Sequence, residues 1–477
     1  MLKNNGFHNR HSPFARQTAF SPLSLFSGGA PGAWYDPSDY TTLFQDSAGT
    51  TPVTAVEQPV GLMLDKSQGL VLGPELVTNG DFATDTWWTK GPGCTISGGV
   101  GVAISAANGS GFYRLSLLTV GVYYEITFTV VSRTAGAFRV GFFSSAYSPS
   151  YSTPGTYTVR LRADSTSFVV ETVGVTIGTI DNVSVKAVAG NHAFQSTSAS
   201  RPVLSARVNK LLATATLATQ SVTTRAAAHT LRFEGAGSIT LSGTAIGTFA
   251  AGSHSVTATA GTLTLTVSGS VTSADLRETN DGVGVPAYQA VVTSTNYATA
   301  GFLPYLKFDG VDDSLSTNSI NFTSTDKMSV FAGVRKLSDA AQGMVAEIGN
   351  DANNAFLLLA PRTNAGLNYG FRSKGTTASD ATSSSSYTSP ITNTLTGLGD
   401  ISGDLATLRV NGVQAAQNTG DQGTGNFGNY PLYIGRRAGS SLPFNGQMYS
   451  MIIVGKAVTA GELSGTETYV NQKTGAY

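Results

Sequence analysis

Apolar and polar side chains alternate with a period of two along much of this chain. Tyr124, Ile126, Phe128 and Val130 interleave with Tyr123, Glu125, Thr127 and Thr129. A half-buried strand requires this pattern, because successive side chains point to opposite faces. Residues 155–162 alternate in the same way. The block they belong to opens at Glu75-Leu76-Val77-Thr78-Asn79-Gly80-Asp81-Phe82 with Trp87-Trp88, and closes at residues 179–185. A second block, residues 211–290, repeats the order in shorter form. Residues 228–233 stand where 122–128 stood, and 252–256 where 155–159 stood. Residues 263–267 with 271–276 match the closing pair. Two diverged modules of one type explain this. The open alternative is that Thr/Val-rich strands simply resemble one another.

From about residue 296 onward, strand and turn units follow in series. Leu408-Arg409-Val410-Asn411-Gly412-Val413 predicts a hairpin with Asn-Gly as a two-residue type I′ turn. Leu432–Gly435 and Phe444–Val454 read as further strands. Thr459 to Tyr469 predicts a short helix, with Thr459 as N-cap and Glu462 completing a capping box.

Composition supports a strand-rich chain. Charged residues make up 12% of the 477 residues, against about 25% in an average soluble domain. Thr, Ser, Val and 55 glycines fill the difference. β-branched residues suit a pleated sheet and glycine suits tight turns. The fold class read from this is all-β: three β-sandwich or jelly-roll modules, one of them discontinuous, with an N-terminal extended arm.

The 29 basic and 29 acidic residues balance. Non-specific nucleic-acid binding, which needs a basic surface, is therefore not expected. No run approaches the about 20 apolar residues of a membrane span, so no membrane insertion is expected. Cys94 is the only cysteine, so no intrachain disulfide forms. Residues 1–20 are polar and basic without an apolar segment, unlike a Sec-type signal. The expectation is folding in a reducing host cytoplasm. Residues 1–32 read as a docking arm that orders on a larger assembly; the plainer alternative is a disordered tail.

Three sets of residues carry a family resemblance. Leu306–Asp313, Leu408–Val413, Leu432–Arg436 and Phe444–Val454 resemble the concanavalin-A-like, laminin-G-like sandwich of phage and bacterial surface proteins. The block from Glu75 to Val185 is similar to jelly-roll carbohydrate-binding modules. Such sandwiches often open with a Trp-x-Asp-x-Ser-Asp strand, then an Asp-Lys-Ser turn and a Gly-Asn-His-Ala segment. Here these pieces are scattered as Trp34–Asp39, Asp65-Lys66-Ser67, and Gly190–Thr197 with Arg201-Pro202. The resemblance thus implies one sandwich interrupted twice. Residues 33–70, 189–210 and 291–477 would form it. Residues 71–188 would be an inserted jelly-roll module and 211–290 a smaller inserted sandwich. Insertion at an exposed turn whose ends lie close together costs little. Beads on a string is the alternative.

Candidate chemistry is sparse. His8, His11, His192, His229 and His254 show no metal-ligand spacing. Cys94 reads as a buried structural thiol. No catalytic residue is assigned: glycoside hydrolysis needs two carboxylates about 5–10 Å apart, and Asp85, Glu347 and Asp351 cannot be paired from sequence. Trp87 and Trp88, adjacent on an expected strand, would face opposite sides, one into the core and one toward a sugar ring. Tyr147 and Tyr151, with Phe143, lie in a Ser/Pro-rich segment read either as a glycan contact or as a plain connection. Asp309, Asp312 and Asp313 begin a calcium site, which needs about six to eight oxygens, or else close a turn. The jelly-roll resemblance adds Asp81 and Asp181 as structural calcium ligands, although Ala83 stands where an acid is usual.

Taken together, the resemblance implies a bacteriophage virion-surface protein: a tail fibre, tail tip or head fibre. It would meet other virion proteins through residues 1–32 and bind a host-surface glycan. A trimer is expected by analogy with fibres. The alternatives are a ligand-free capsid decoration or connector protein, and a polysaccharide depolymerase.

Overall fold

The computed structural model describes residues 20–143 and 146–477. Two large antiparallel sheets face each other across the main core. One has eight strands, with Lys327–Lys336 between Asn445–Val454 and Ile391–Asp400 at its centre. The other has nine, running from Leu43–Phe44 at one edge to Ala378–Thr382 at the other. The apolar run Met448–Val454 has no alternation because both of its faces are covered. Met451 and Ile453 enter the core between the sheets. Ile452 and Val454 point outward, under Leu25, Phe26, Trp34 and Val470.

Val470 belongs to the helix Ala460–Thr474, the only α-helix among the described residues. It is five residues longer than the sequence predicts. Its capping box is formed: the Thr459 hydroxyl accepts from the Glu462 amide at 3.3 Å, and Glu462 accepts from the Thr459 amide at 2.9 Å. Gly475, in the left-handed region, ends it. The Asn411-Gly412 hairpin is also present, with both φ values positive as a type I′ turn requires.

The sandwich is assembled from distant stretches of chain. Gly32–Tyr35 pairs antiparallel with Asn445–Val454, Trp34 opposite Ile452. Leu43–Phe44 pairs with Leu62–Met63, which pairs with Ala193–Phe194, which pairs with Leu315–Asn321. Pro22–Phe26, within the expected arm, forms a 3-10 turn packed on this same sandwich. Residues 1–19 of that arm, with His8 and His11, lie outside the described residues.

Between Leu62–Met63 and Ala193–Phe194, the chain builds an eight-stranded sheet of its own. Tyr123–Gly141 and Phe168–Val188 are long strands that pair through several register shifts. Bulges of this kind bend a sheet, so these strands can close around a core. That core includes Phe82, Phe112, Phe128, Phe138 and Phe168. After Val203–Ser205 the chain builds a five-stranded sheet around Leu231, Phe233, Ile239 and Leu265. Both inserted units share one three-strand order: Gly155–Arg162, Tyr123–Gly141, Phe168–Val188 in the first, and Gly247–Ala258, Ala227–Gly243, Thr272–Glu278 in the second.

Candidate glycan-binding groove

A surface groove lined by aromatic side chains lies on the first inserted unit. Gly111–Arg114 pairs with Phe168–Val188, placing Tyr113 opposite Val169 and Phe112 opposite Val170. Val170 also lies opposite Val140, and Val169 opposite Gly141. Strand alternation sends Phe112, Val140 and Val170 into the core, where each is fully buried. Tyr113, Val169 and Gly141 therefore share the outer face, together with Arg139 and Glu171.

That face carries an aromatic cluster. Phe143 packs edge-on against Tyr113 at 5.1 Å between centroids and remains 45% exposed. Leu115 beside it is exposed too. Gly91, Pro92, Gly109 and Gly111 wall the other side with little or no side chain, leaving a groove of about 480 Å³. This is within the usual range of small-ligand sites, about 300–1,000 Å³.

A polar group sits on the same face, outside the groove lining. The Tyr147 ring lies directly over Gly141, where a Cβ would come within 2.4 Å of it. The Arg139 guanidinium stacks on Tyr147 at 3.9 Å and donates to Glu171 through Nε at 3.0 Å. Burial, then a hydrogen bond to Glu171, pushes the Tyr147 phenol up to about 12. Aromatic faces of this kind meet the C–H faces of sugar rings, and neighbouring charged and backbone groups meet hydroxyls.

The four aromatics expected to bind sugar do not converge. Trp87 and Trp88 precede the strand Thr89–Lys90 rather than lying on one, and Trp87 holds a left-handed φ of 71°. Their rings therefore do not point to opposite faces: they contact each other edge-on at 4.7 Å. Trp88 is buried, stacked on Phe82 and bonded from Nε1 to the Asn79 carbonyl at 2.9 Å. Trp87 is half-buried beneath the Arg114 guanidinium. Tyr151 stacks on Tyr157 at 4.0 Å and lines a separate cleft with Phe44 and Arg160. None of the four lines the groove; Phe143, named beside them, does, and Tyr147 lies next to it over Gly141. Tyr113, Arg139 and Glu171 were missed. The signal was present in Gly111-Phe112-Tyr113-Arg114, where adjacent aromatics on a strand must face opposite ways.

The acidic candidates divide in two. Carboxylate oxygens of Asp309, Asp312 and Asp313 lie within 4.8 Å of one another. Asp309 accepts from the Val311 amide at 2.7 Å, Asp312 from the Ser200 hydroxyl at 2.7 Å, and Asp313 from the Asp309 amide at 3.0 Å. Burial, then the neighbouring Asp309 charge, raises Asp313 to about 7. This hard-oxygen set suits Ca2+ in chemistry and would supply part of the about six to eight oxygens such an ion takes. Asp81 and Asp181 instead bond to adjacent backbone, at Ala83 and Asn182, and join no third acid, His or Cys among the described residues.

Glu347 is fully buried and engaged by Arg437 at 3.1 Å, and Asp351 is held by Arg372 at 3.0 Å. Asp85 pairs with Lys90. The Cys94 thiol is buried against Ser110 and raised by burial, as befits a packing residue. No helix among the described residues is long and apolar enough to cross a membrane.

Residues 309–464 match the sequence model of the concanavalin A-like lectin/glucanases superfamily. No curated protein sequence matches the chain. Among solved structures, the chain is similar to the Ruminococcus gnavus IT-sialidase CBM40 bound to alpha2,3 sialyllactose. Identity is 20%, with 30% of this chain and 83% of that one covered, at a TM-score of 0.25. It is similar to the receptor binding domain of botulinum neurotoxin D at 13% identity, covering 35% of this chain and 43% of that one, TM-score 0.28. The binding domain of Paraclostridial Mosquitocidal Protein 1 gives 14% identity, 40% and 46% coverage, and a TM-score of 0.29. Likenesses of this size carry no functional argument. What the sequence match and the sheet pairing together establish is a β-sandwich chain whose C-terminal portion has the concanavalin-A-like fold.

Proposed function

We propose that this chain is a glycan-binding structural protein of a bacteriophage virion surface: a tail fibre, tail tip or head fibre. The groove over Tyr113 and Phe143 holds the host-surface glycan. The observation that carries the binding role is the Tyr113–Phe143 pair, Phe143 exposed and Tyr113 half-buried, beside walls of glycine and proline. An aromatic pair lining a concave surface, rather than an apolar side chain exposed singly, is the kind of feature that contacts a ligand. The virion role rests on the resemblance of the interrupted sandwich and its jelly-roll insertion to phage surface proteins; the single cysteine is compatible with folding in a reducing cytoplasm. Attachment runs through residues 1–32, assembly is trimeric, and the protein has no enzymatic activity. Calcium serves as a structural ion at Asp309, Asp312 and Asp313.

A glycan array probed with the full chain tests the binding role. Retention of a defined glycan family, lost in Tyr113→Ala with Phe143→Ala, supports it. A clean negative favours a ligand-free decoration or connector protein instead. Mass spectrometry of gradient-purified particles tests the virion role, and finding the chain in infected cells but never in particles would sink it.

A further inference from the structure

A second groove lies where the smaller inserted sheet meets the main sandwich. It encloses about 640 Å³ and is predominantly polar. We propose that this inter-module groove binds an acidic saccharide, with the sugar carboxylate held by Arg225 and Lys307. This is a site separate from the Tyr113–Phe143 groove and does not rest on it.

Charge is the first argument. Arg207, Lys210, Arg225 and Lys307 line the groove, against Glu57, Glu278 and Asp281. Two of the acids are already answered. Glu278 is bound by Lys210 at 3.1 Å and by Arg335 from behind the wall. Asp281 faces the same Arg335 at 3.8 Å. Counting Arg335, five positive charges stand against three negative ones, so the groove favours an anion.

The two named bases retain unused capacity. Arg225 gives one bond, from Nη1 to the Leu337 carbonyl, while a guanidinium has five donors. Its half-buried position lowers its pKa through desolvation, a cost that a carboxylate partner would relieve. Lys307 is exposed; Asp313 feels its charge, yet it forms no salt bridge among the described residues. An Arg fork with a neighbouring Lys is the usual means of holding a carboxylate.

Glu57 points to a sugar rather than a simple anion. Its backbone is left-handed, with φ 61°, a conformation that non-glycine residues rarely hold. Its Oε1 accepts from both the Tyr297 and Ser205 hydroxyls at 2.6 Å. Its Oε2 accepts no hydrogen bond among the described residues. The carboxylate is thus fixed in place with one oxygen available for a hydroxyl donor. A ligand offering both a carboxylate and hydroxyls satisfies both kinds of partner, and acidic sugars have that chemistry.

The test is calorimetric titration of the full chain with tri-galacturonic acid, tetrameric hyaluronan and 3′-sialyllactose, alongside a neutral carboxyl-reduced trisaccharide. Binding of at least one acidic ligand, weakened at least tenfold by Lys307→Glu and by Arg225→Gln at unchanged Tm, and weakened by added salt, is expected. Glu57→Gln keeps an acceptor for Tyr297 and Ser205 but puts an amide donor where the free oxygen stood, so a sugar hydroxyl there must accept instead of donate; it should cost less than Lys307→Glu. Failure of all three acidic ligands to bind at millimolar concentration overturns the proposal, as does equal binding of the neutral trisaccharide. Loss of acidic binding in Tyr113→Ala also overturns it, by assigning that binding to the other groove. If neutral glycans never bind but acidic ones do and depend on Lys307, this inference stands while the Tyr113–Phe143 reading falls.

Discussion

The two inserted units share a strand order but join the sandwich by opposite chemistry. At the first neck, a single carboxylate gathers three stretches of chain. Asp65 is fully buried and accepts from the amides of Trp34 at 2.7 Å, Ser67 at 2.8 Å and Asn191 at 2.7 Å, and from the Ser67 hydroxyl. His192 beside it accepts from the Asp65 amide at 3.0 Å. The second neck is ionic. Lys210, Glu278, Arg335 and Asp281 form a buried network, flanked by Asn209 and Gln289, which bond the crossing strands. A neck built on one carboxylate and the backbone amides it gathers buries a single charge and answers it with hydrogen bonds. A buried ionic neck depends on every partner being present. The unit with the aromatic groove hangs on the first kind, and the unit that walls the polar groove hangs on the second.

The ionic neck should break hardest. Arg335 is fully buried, and besides Glu278 it donates to the Asn280 carbonyl at 2.9 Å and to Thr392 at 2.8 Å. Arg335→Met leaves Asp281 without its facing base and removes one of two cations from Glu278. Leaving a buried charge uncompensated costs about 3–5 kcal/mol. Urea unfolding should show that loss, and limited proteolysis should show early cutting near residues 210 and 290. Adding Glu278→Leu and Asp281→Asn should recover much of it, since the penalty belongs to the orphaned charges. A loss below about 1 kcal/mol in the single variant, the scale of an exposed pair, would mean that this neck is not held ionically.

The first neck should respond to pH instead. Burial, opposed only in part by the hydrogen bond to the Val188 carbonyl, lowers His192 to about 4 from the ordinary 6.5. Above pH 6.5 the imidazole is neutral whether the chain is folded or not, and its contribution is complete. As pH falls from 6.5 to 4, the unfolded chain takes up a proton that the folded chain refuses, so stability drops. Two and a half units at about 1.4 kcal/mol each give roughly 3 kcal/mol. Asp65, raised by burial, works in the opposite direction, because the folded chain then protonates it first. His192→Asn keeps an acceptor for the Asp65 amide and removes the titration. The difference in unfolding free energy between wild type and variant, measured at pH 7.5 and pH 4.5, isolates His192. An equal difference at both pH values would refute the assignment.

Much of this division was legible in the chain, and the reason is local. Period-two alternation in 123–130 and the Asn411-Gly412 turn are decided by residues near one another in sequence. Trp34, Asp65 and His192 could be linked only through a familiar motif, because their contacts span up to 127 residues and no local pattern encodes them. Trp87 and Trp88 misled for a related reason. Their strand was inferred from neighbours, but the Asn79 side chain bonds across to the Thr84 and Thr86 carbonyls and holds that segment as a loop. The glycan groove stayed hidden because Tyr113 and Phe143 meet only through the pairing of Gly111–Arg114 with the strand Phe168–Val188. The ionic neck was invisible because Glu278 and Arg335 look like ordinary strand-end charges until two units are docked.

The smallest effect should come from the groove that distinguishes the first unit, and it should appear in binding before stability. Gly141 sits beneath the Tyr147 ring, so Gly141→Ala forces the ring and the Arg139 stacked on it to move. Overpacking of this kind costs about 1–3 kcal/mol, with the low end expected because Tyr147 is at the surface and can swing outward. The Arg139–Glu171 pair then loses its aromatic cover. A glycan bound over Tyr113 and Phe143 should weaken about tenfold, equivalent to about 1.4 kcal/mol. Its Tyr147 phenol should also titrate below its present value of about 12, because the hydrogen bond to Glu171 is lost. The chain has 18 tyrosines, so the shift is read by difference, from ultraviolet titrations with and without Tyr147→Phe in both the wild-type and Gly141→Ala backgrounds. A tenfold loss of glycan affinity with an unchanged phenol titration would mean that the groove acts without the polar group beside it. An unchanged affinity with a shifted titration would confine the binding surface to Tyr113, Phe143 and the glycine wall.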